Sequence, residues 1–394
     1  MRNIKLTLAA AVAIAAVGLA PRVSEAQEVQ PELTLGMETL GSIGANYSTG
    51  ENSGAGATGI VDFSDTALLV RSRIQLYPNI RGGSAIGLQF PDADSELGAV
   101  FFHQAYAFLE GQHFDLKIGR SRLQSSVIEF PSVRDDDLLS YTDALNPMAS
   151  GSTTEDHQFG NVLEATGIIR TKYFLSVHAE HLFLTPGDQN SEDFTLNSVG
   201  TTIAYRNIPA RIDTGRVREI GAAFNYYNAK GDGRAAVWNT ILGGAVNLNP
   251  DPIHLIDIRL QGIYTNGDGD GTLTDPNSTF RAQSMHGAAA LRYLYSKSTI
   301  PTFQLALVGG HARYFDSKET SWSSIANGFY SLGADFSVGA QYQVESYSQG
   351  LRVALGTAEY DHRVQAVLRF GFEFTVNPLP KRNSILNTEH SYIP

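Results

Sequence analysis

Residues 362–376 read HRVQAVLRFGFEFTV, and from Val364 onward every second position but one pattern holds: Val364, Ala366, Leu368, Phe370, Phe372, Phe374 and Val376 form one apolar row, while Gln365, Arg369, Glu373 and Thr375 stand on the other. Successive side chains of a strand point to opposite faces, so this stretch is a strand with an oily side and a charged side. In a small soluble barrel the charged side would be buried, at several kcal/mol for each unpaired ion. A watery lumen on one side and lipid on the other removes that cost, and closure of the sheet satisfies every backbone group that faces lipid. The stretch therefore predicts a membrane barrel. The competing reading is a secreted soluble β-domain with solvated polar faces.

The same alternation recurs toward the N-terminus. Across 65–77, Leu68, Val70, Ile74 and Leu76 oppose Leu69, Arg71, Arg73 and Gln75. Across 98–110, Phe102, Tyr106 and Phe108 oppose His103, Ala105 and Ala107. The next strand sends Phe114, Leu116 and Ile118 outward and Lys117 inward; parity would send Arg120 and Arg122 outward too, which places them at a rim or beyond a bulge. In 253–265, Ile256, Ile258, Leu260 and Tyr264 oppose Asp257, Arg259 and Gln261. Further segments lie at 33–47, 84–90, 161–169, 173–184, 194–206, 216–228, 234–248, 281–296, 302–315, 326–338 and 340–347. With 351–360 read as a loop the strands number sixteen, an even count that suits an exported single-chain barrel.

The connections support this. PNIRGGS, GQH, RTK, NPDP and KSTIP are short, whereas STGENSGAGATG, PDADSE, TPGDQNSED, AKGDG, NGDGDGTLTDPNST and DSKETSWSS are mostly longer, acidic and Gly-rich. Short periplasmic turns alternating with long external loops mark an outer-membrane barrel; the connection at 207–215 is long where a short turn is expected. The expected fold is thus all-β, a 16-stranded antiparallel transmembrane β-barrel.

The N-terminus sets the destination. Residues 1–26 combine the bases Arg2 and Lys5, the apolar run LTLAAAVAIAAVGLA and a small-residue site at Ser24 to Ala26, which together read as a cleaved signal peptide. Cleavage would remove Arg2, Lys5, Arg22 and Glu25 and take the formal charge from −11 to −13. An acidic chain argues against nucleic acid as a partner. Cysteine is absent, which excludes disulfides, thiol nucleophiles and thiolate metal sites. No segment matches a G-x-S-x-G, H-E-x-x-H or P-loop pattern, and His181 is the sole candidate for a lipase histidine near a rim, so no enzyme is expected. The organisation expected is a signal peptide at 1–26, a barrel at 27–376 and a tail at 377–394.

One segment breaks the rhythm. Residues 124–160 form the longest interruption and carry Glu129, Asp135, Asp136, Asp137, Asp143, Glu155 and Asp156 against the single base Arg134. A connection of that length in a compact fold is functional or disordered. The run AYAFLEGQHFDLKIGRSR at 105–122, followed by this acidic loop, resembles the Gram-negative general porins. The segment IEFPSVRDDDLLSY at 128–141 and the closing strand at 362–376 are also similar to porins of the DcaP-like kind. The likeness covers the strand rhythm of most of the mature chain. It departs at the C-terminus: porins usually stop at an aromatic residue ending the last strand, whereas here residues 377–394 follow Val376.

The resemblance implies a third external loop folded into the lumen, where Glu129, Asp135, Asp136 and Asp137 would face wall bases. Arg71 and Arg73 on the second strand and Arg369 on the sixteenth flank the first strand once the barrel closes and would form one basic ladder. Arg259 and Arg292 would add charge elsewhere. Opposed charges of this kind order water and filter solutes by charge and size; alternatively they only pin the loop to the wall. The resemblance further implies a homotrimer embedded among outer-membrane lipid and lipopolysaccharide, passing small hydrophilic solutes without a cofactor. Two other functions compete, an accessory barrel acting as a sleeve and a substrate-specific channel for a hydrophobic compound; the first needs an open lumen and the second apolar inward residues. Asn266, Asp268 and Asp270 match the first ligand positions of a calcium loop, but Asn277 stands where its bidentate Glu belongs, so no metal is expected.

Overall fold

A computed structural model describes residues 31–54, 56–90, 101–122, 130, 159–169, 173–181, 198–206, 217–227, 237–251, 253–267, 283–297, 300–315, 317–333 and 336–379. The strands are β1 (Glu32–Thr49), β2 (Ala57–Tyr77), β3 (Ile80–Phe90), β4 (Phe101–Gly111), β5 (Phe114–Arg122), β6 (Phe159–Ile169), β7 (Tyr173–His181) and β8 (Ser198–Arg206). They continue as β9 (Val217–Tyr227), β10 (Val237–Pro250), β11 (His254–Gly267), β12 (Gln283–Lys297), β13 (Ile300–Tyr314), β14 (Thr320–Ser331), β15 (Phe336–Tyr347) and β16 (Tyr360–Val376), with a helix, α1 (Gln349–Leu355), just before the last. Each strand pairs antiparallel with its neighbours in sequence, and β1 pairs with both β2 and β16, so the sheet closes into a barrel.

Closure follows from the pattern that began at β16. Val364, Leu368, Phe370 and Phe374 are exposed on the outer face, as are Leu260, Leu305 and Leu307, while Gln365, Gln341, Asp257 and Asn239 are buried inside. Aromatic residues gather on the outer face toward both ends of the strands. At the long-connection end Tyr47 stacks on His362, and Trp238 lies between Phe224 and Tyr264; at the other end His254 meets Tyr293 and Tyr295. Such paired girdles hold a barrel at the two membrane interfaces.

Among the described residues the expected count of sixteen strands is observed, with residues 351–359 outside the sheet. Most boundaries shift by up to four residues, and two regions differ by more. β2 begins at Ala57, well inside the stretch read as a loop, because its Gly-rich start still pairs with Ala45 and Tyr47 on β1. The break between β14 and β15 falls after Ser331, not at Gly339, and TSWSS belongs to β14. There the inward residues are Ser321 and Ser323, buried but small and polar, so the amplitude of alternation is low and the segment resembles a turn.

The last strand is joined to the first at both ends. The β1 to β16 ladder runs without a break from Leu33 opposite Val376 to Thr49 opposite Tyr360. Beyond it, Arg352 on α1 reaches Glu51 at 3.3 Å and Glu359 at 3.7 Å, and the Glu359 N–H donates to the Glu51 carbonyl. At the opposite end the Leu379 N–H donates to Glu32 Oε2 at 2.6 Å.

Candidate functional site

The inner wall is the site, and register decides which of its charges meet. On the arc from β1 to β6, Arg73 lies opposite Glu32 on β1 and opposite Gly83 on β3. From there the guanidinium reaches Glu110 on β4 at 3.0 Å, while also meeting Glu32 at 3.4 Å. Lys117 on β5 meets Glu164 on β6 at 3.0 Å, and the Thr166 hydroxyl donates to the same carboxylate at 3.2 Å. Arg81 Nε donates to Gln75 Oε1 at 3.1 Å. All these ions are at most 6% exposed, so the pairs are held in low dielectric, where losing one partner leaves a costly buried charge.

The arc from β9 to β14 is built differently. Its mid-wall residues Ala223, Ile241, Ala245, Ile263, Ala288, Ala290, Val308 and Ile325 form a continuous apolar cluster, and Phe130 packs against it. Charge on this arc sits toward the short-connection end, where Asp257, fully buried, accepts from Arg292 Nε at 3.2 Å and meets Arg259 Nε at 3.6 Å. A second inward apolar cluster, Ala85, Tyr106, Phe108 and Ile168 with Leu69 beside it, lies on the charged arc.

The five wall bases named from sequence occupy inward positions. Arg73, Arg259 and Arg292 each have a wall carboxylate within 4 Å. Arg71 has shielded Nε and Nη1 groups with no hydrogen-bond partner. Arg369 does not stand beside Arg71. It lies opposite Leu40 of β1 whereas Arg71 lies opposite Thr34, six positions apart, which is roughly 20 Å along the strand. The single basic ladder is therefore divided in two by the register. Glu129, Asp135, Asp136 and Asp137 lie outside the described residues, as do Asp268 and Asp270; Asn266 sits in β11 opposite Gln283. Among the described residues no cluster of metal-ligating side chains occurs.

Sequence reading missed the acids that pair with these bases, Glu32, Glu110 and Glu164. Glu110 shares its parity with Tyr106 and Phe108, and that was the available signal: an acid ending an aromatic row marks the row as inward. Those two rings are in fact buried on the inner face, with Ala105, Ala107 and Leu109 facing out. Alternation sorts a strand into two faces without saying which one meets water.

No family model matches the chain, and no curated protein sequence is significantly similar to it. Solved structures are similar in shape. The anion-selective porin from Comamonas acidovorans superposes with a TM-score of 0.61 at 13% identity, over 87% of this chain and 100% of that one. The outer membrane channel DcaP of Acinetobacter baumannii gives 0.57 at 14% identity, over 88% and 99%. OmpT of Vibrio cholerae, folded in vitro and solved in a trimer form, gives 0.56 at 8% identity, over 86% and 99%. The chain has the barrel fold of the outer-membrane porins.

Proposed function

We propose that the protein is an outer-membrane porin through which small hydrophilic solutes diffuse passively, in a lumen narrowed by the loop at 124–160. The observation that carries this reading is Phe130. It belongs to the connection between β5 and β6, yet it packs against inner-wall residues contributed by β9 to β14. An inward-folded connection is the arrangement that this contact favours. On this reading the acids that follow it in sequence, Asp135, Asp136 and Asp137, would oppose wall bases, and opposed charges of that kind would set the field that sorts solutes. Gln, Asn and Ser side chains recur among the inward residues around the wall, which gives it a polar character.

On this reading residues 1–26 are a signal peptide removed on export and the barrel resides in the outer membrane of a Gram-negative bacterium, among lipid and lipopolysaccharide. A homotrimer is consistent with the trimer form of the Vibrio cholerae barrel, and chemical crosslinking of the protein in detergent tests it. A channel for a hydrophobic compound has one observation in its favour, the inward cluster of Tyr106, Phe108 and Ile168. Liposome swelling separates the two: uptake of small sugars and amino acids at rates that fall with solute size supports the porin, whereas uptake confined to apolar solutes favours the alternative. Mass determination of the mature protein tests cleavage after Ala26.

A further inference from the structure

The outer face of β13 ends in charge. Its outward row runs through Leu305, Leu307, Gly309, His311 and Arg313, and both His311 and Arg313 are exposed. Phe303, on the same row, belongs to the aromatic girdle of the short-connection end, where its ring lies 6.5 Å from that of Tyr293. Arg313 stands ten residues farther along the strand, about 34 Å along its axis and about 26 Å along the membrane normal at a tilt of roughly 40°. The apolar band of an outer-membrane barrel is about 25 Å tall, so Arg313 sits where the headgroups of the outer leaflet begin. Trp322, exposed and opposite His311 on β14, marks the same boundary. Lys318, also exposed, lies in the hairpin that follows β13.

These charges are not spent within the barrel. Among the described residues neither Arg313 nor Lys318 meets a carboxylate. The Arg313 guanidinium carbon lies 5.6 Å from the centre of the Phe315 ring, a contact that holds the group at the surface and uses none of its N–H donors. Glu319, in the same hairpin, turns its carboxylate to α1, where it accepts from the Ser348 hydroxyl and the Gly350 N–H. Below the charges the surface drops to backbone level. Gly287 lies between Gly262 and His311 across the sheet, and Gly309 follows one row down beside Ala289. A Cβ on Gly287 would meet nothing within 4 Å, and at Gly262 and Gly309 the nearest atom would be 3.9 Å away. Leu260, Leu291 and Leu307 stand exposed around this depression.

We propose that this face of β13 is a docking site for a phosphorylated glycolipid of the outer leaflet. Arg313 and Lys318 take a phosphate, Arg313 by paired charge-assisted hydrogen bonds, with the His311 ring beside them. An acyl chain lies in the glycine depression among the leucines. Cations set above an apolar depression match an anionic headgroup on a hydrocarbon tail, which selects a lipid over a second copy of the chain. The inference rests on the outer-membrane location given above.

Native mass spectrometry of the folded protein in detergent, titrated with bisphosphorylated lipid A, tests it. The parent protein should bind in a saturable way, and the same lipid stripped of both phosphates should bind at least roughly tenfold more weakly. Arg313→Gln combined with Lys318→Gln should raise the half-saturating concentration by roughly tenfold or more, as loss of hydrogen bonds to a charged group does. Gly287→Leu, which fills the depression and keeps every charge, should weaken binding as well. Lys297→Gln, which removes an exposed cation at the other end of the barrel, should leave it unchanged. Each variant is checked for native heat-modifiable migration. Unchanged half-saturation in the double variant, or equal binding of the dephosphorylated lipid, overturns the site while leaving the channel reading intact. Loss of oligomers in the double variant with lipid A binding retained overturns it in favour of a second copy. A protein that fractionates away from the outer membrane removes the location and this inference with it.

Discussion

The two arcs of the inner wall solve the same problem in different ways. From β1 to β6 the wall is ionic, and its charges are matched between strands: Arg73 with Glu32 and Glu110, Lys117 with Glu164. From β9 to β14 the middle of the wall is apolar, and Phe130 packs against it. Apolar surface facing a watery lumen costs about 25 cal/mol per Å2, so a wall of Ile241, Ile263, Val308 and Ile325 is favourable only when something covers it. The ionic arc instead satisfies its charges within the wall, in ion pairs whose members are at most 6% exposed. The asymmetry divides the wall into an arc of matched buried charges and an arc whose apolar middle is met by Phe130.

The largest effect expected from breaking this contrast is on the ionic arc. Lys117→Met should leave Glu164 buried without its partner and lower stability by about 3–5 kcal/mol, whereas Lys117→Met combined with Glu164→Leu should recover most of the loss. Urea unfolding in detergent micelles, followed by heat-modifiable migration, measures both; a double variant no better than the single one would mean that the pair is not held in low dielectric. A smaller effect is expected on the apolar arc. Phe130→Ala should remove about 1.5–3 kcal/mol of anchoring, leave barrel unfolding nearly unchanged and raise single-channel conductance. Conductance equal to that of the parent protein would show that Phe130 does not hold the loop in the lumen.

The smallest effect belongs to neither arc. Arg352→Ala removes contacts to Glu51 and Glu359 at the long-connection end, where Glu51 is largely exposed, so a loss below about 1 kcal/mol is expected in the same unfolding assay. A larger loss would give the α1 contact a part in holding the first and last strands together.

How much of this was legible in the sequence depended on range. β16 announced itself because seven apolar side chains on one face stand against Gln365, Arg369 and Glu373 on the other, and the same contrast located most of the barrel. β14 and β15 were harder, since Ser321, Ser323 and Gly339 carry little contrast between faces. β4 shows a different limit: Tyr106 and Phe108 were rightly grouped on one face, but apart from Glu110 at the end of their row it took their burial beside Ala85 to show that this face is the inner one. The wall arginines were recognisable as inward from parity, as was Asp257 beside Arg259, whereas Glu32 and Glu110, the partners of Arg73, were not. That Arg73 meets Glu110 across Gly83, and that Arg369 is far along β1 from Arg71, are facts of inter-strand register, which short turns fix locally but which a single strand does not encode.

On the proposed reading this barrel is a water-filled channel whose wall charges act on passing ions. Reversal potentials across a planar bilayer under a salt gradient probe that reading, comparing the parent protein with Arg71, Arg73 and Arg369 each replaced by Gln. Stable conductance and a shift toward cation preference in the variants are expected, as positive charge is taken from the lumen. Absence of any conductance from the purified, folded protein would contradict it.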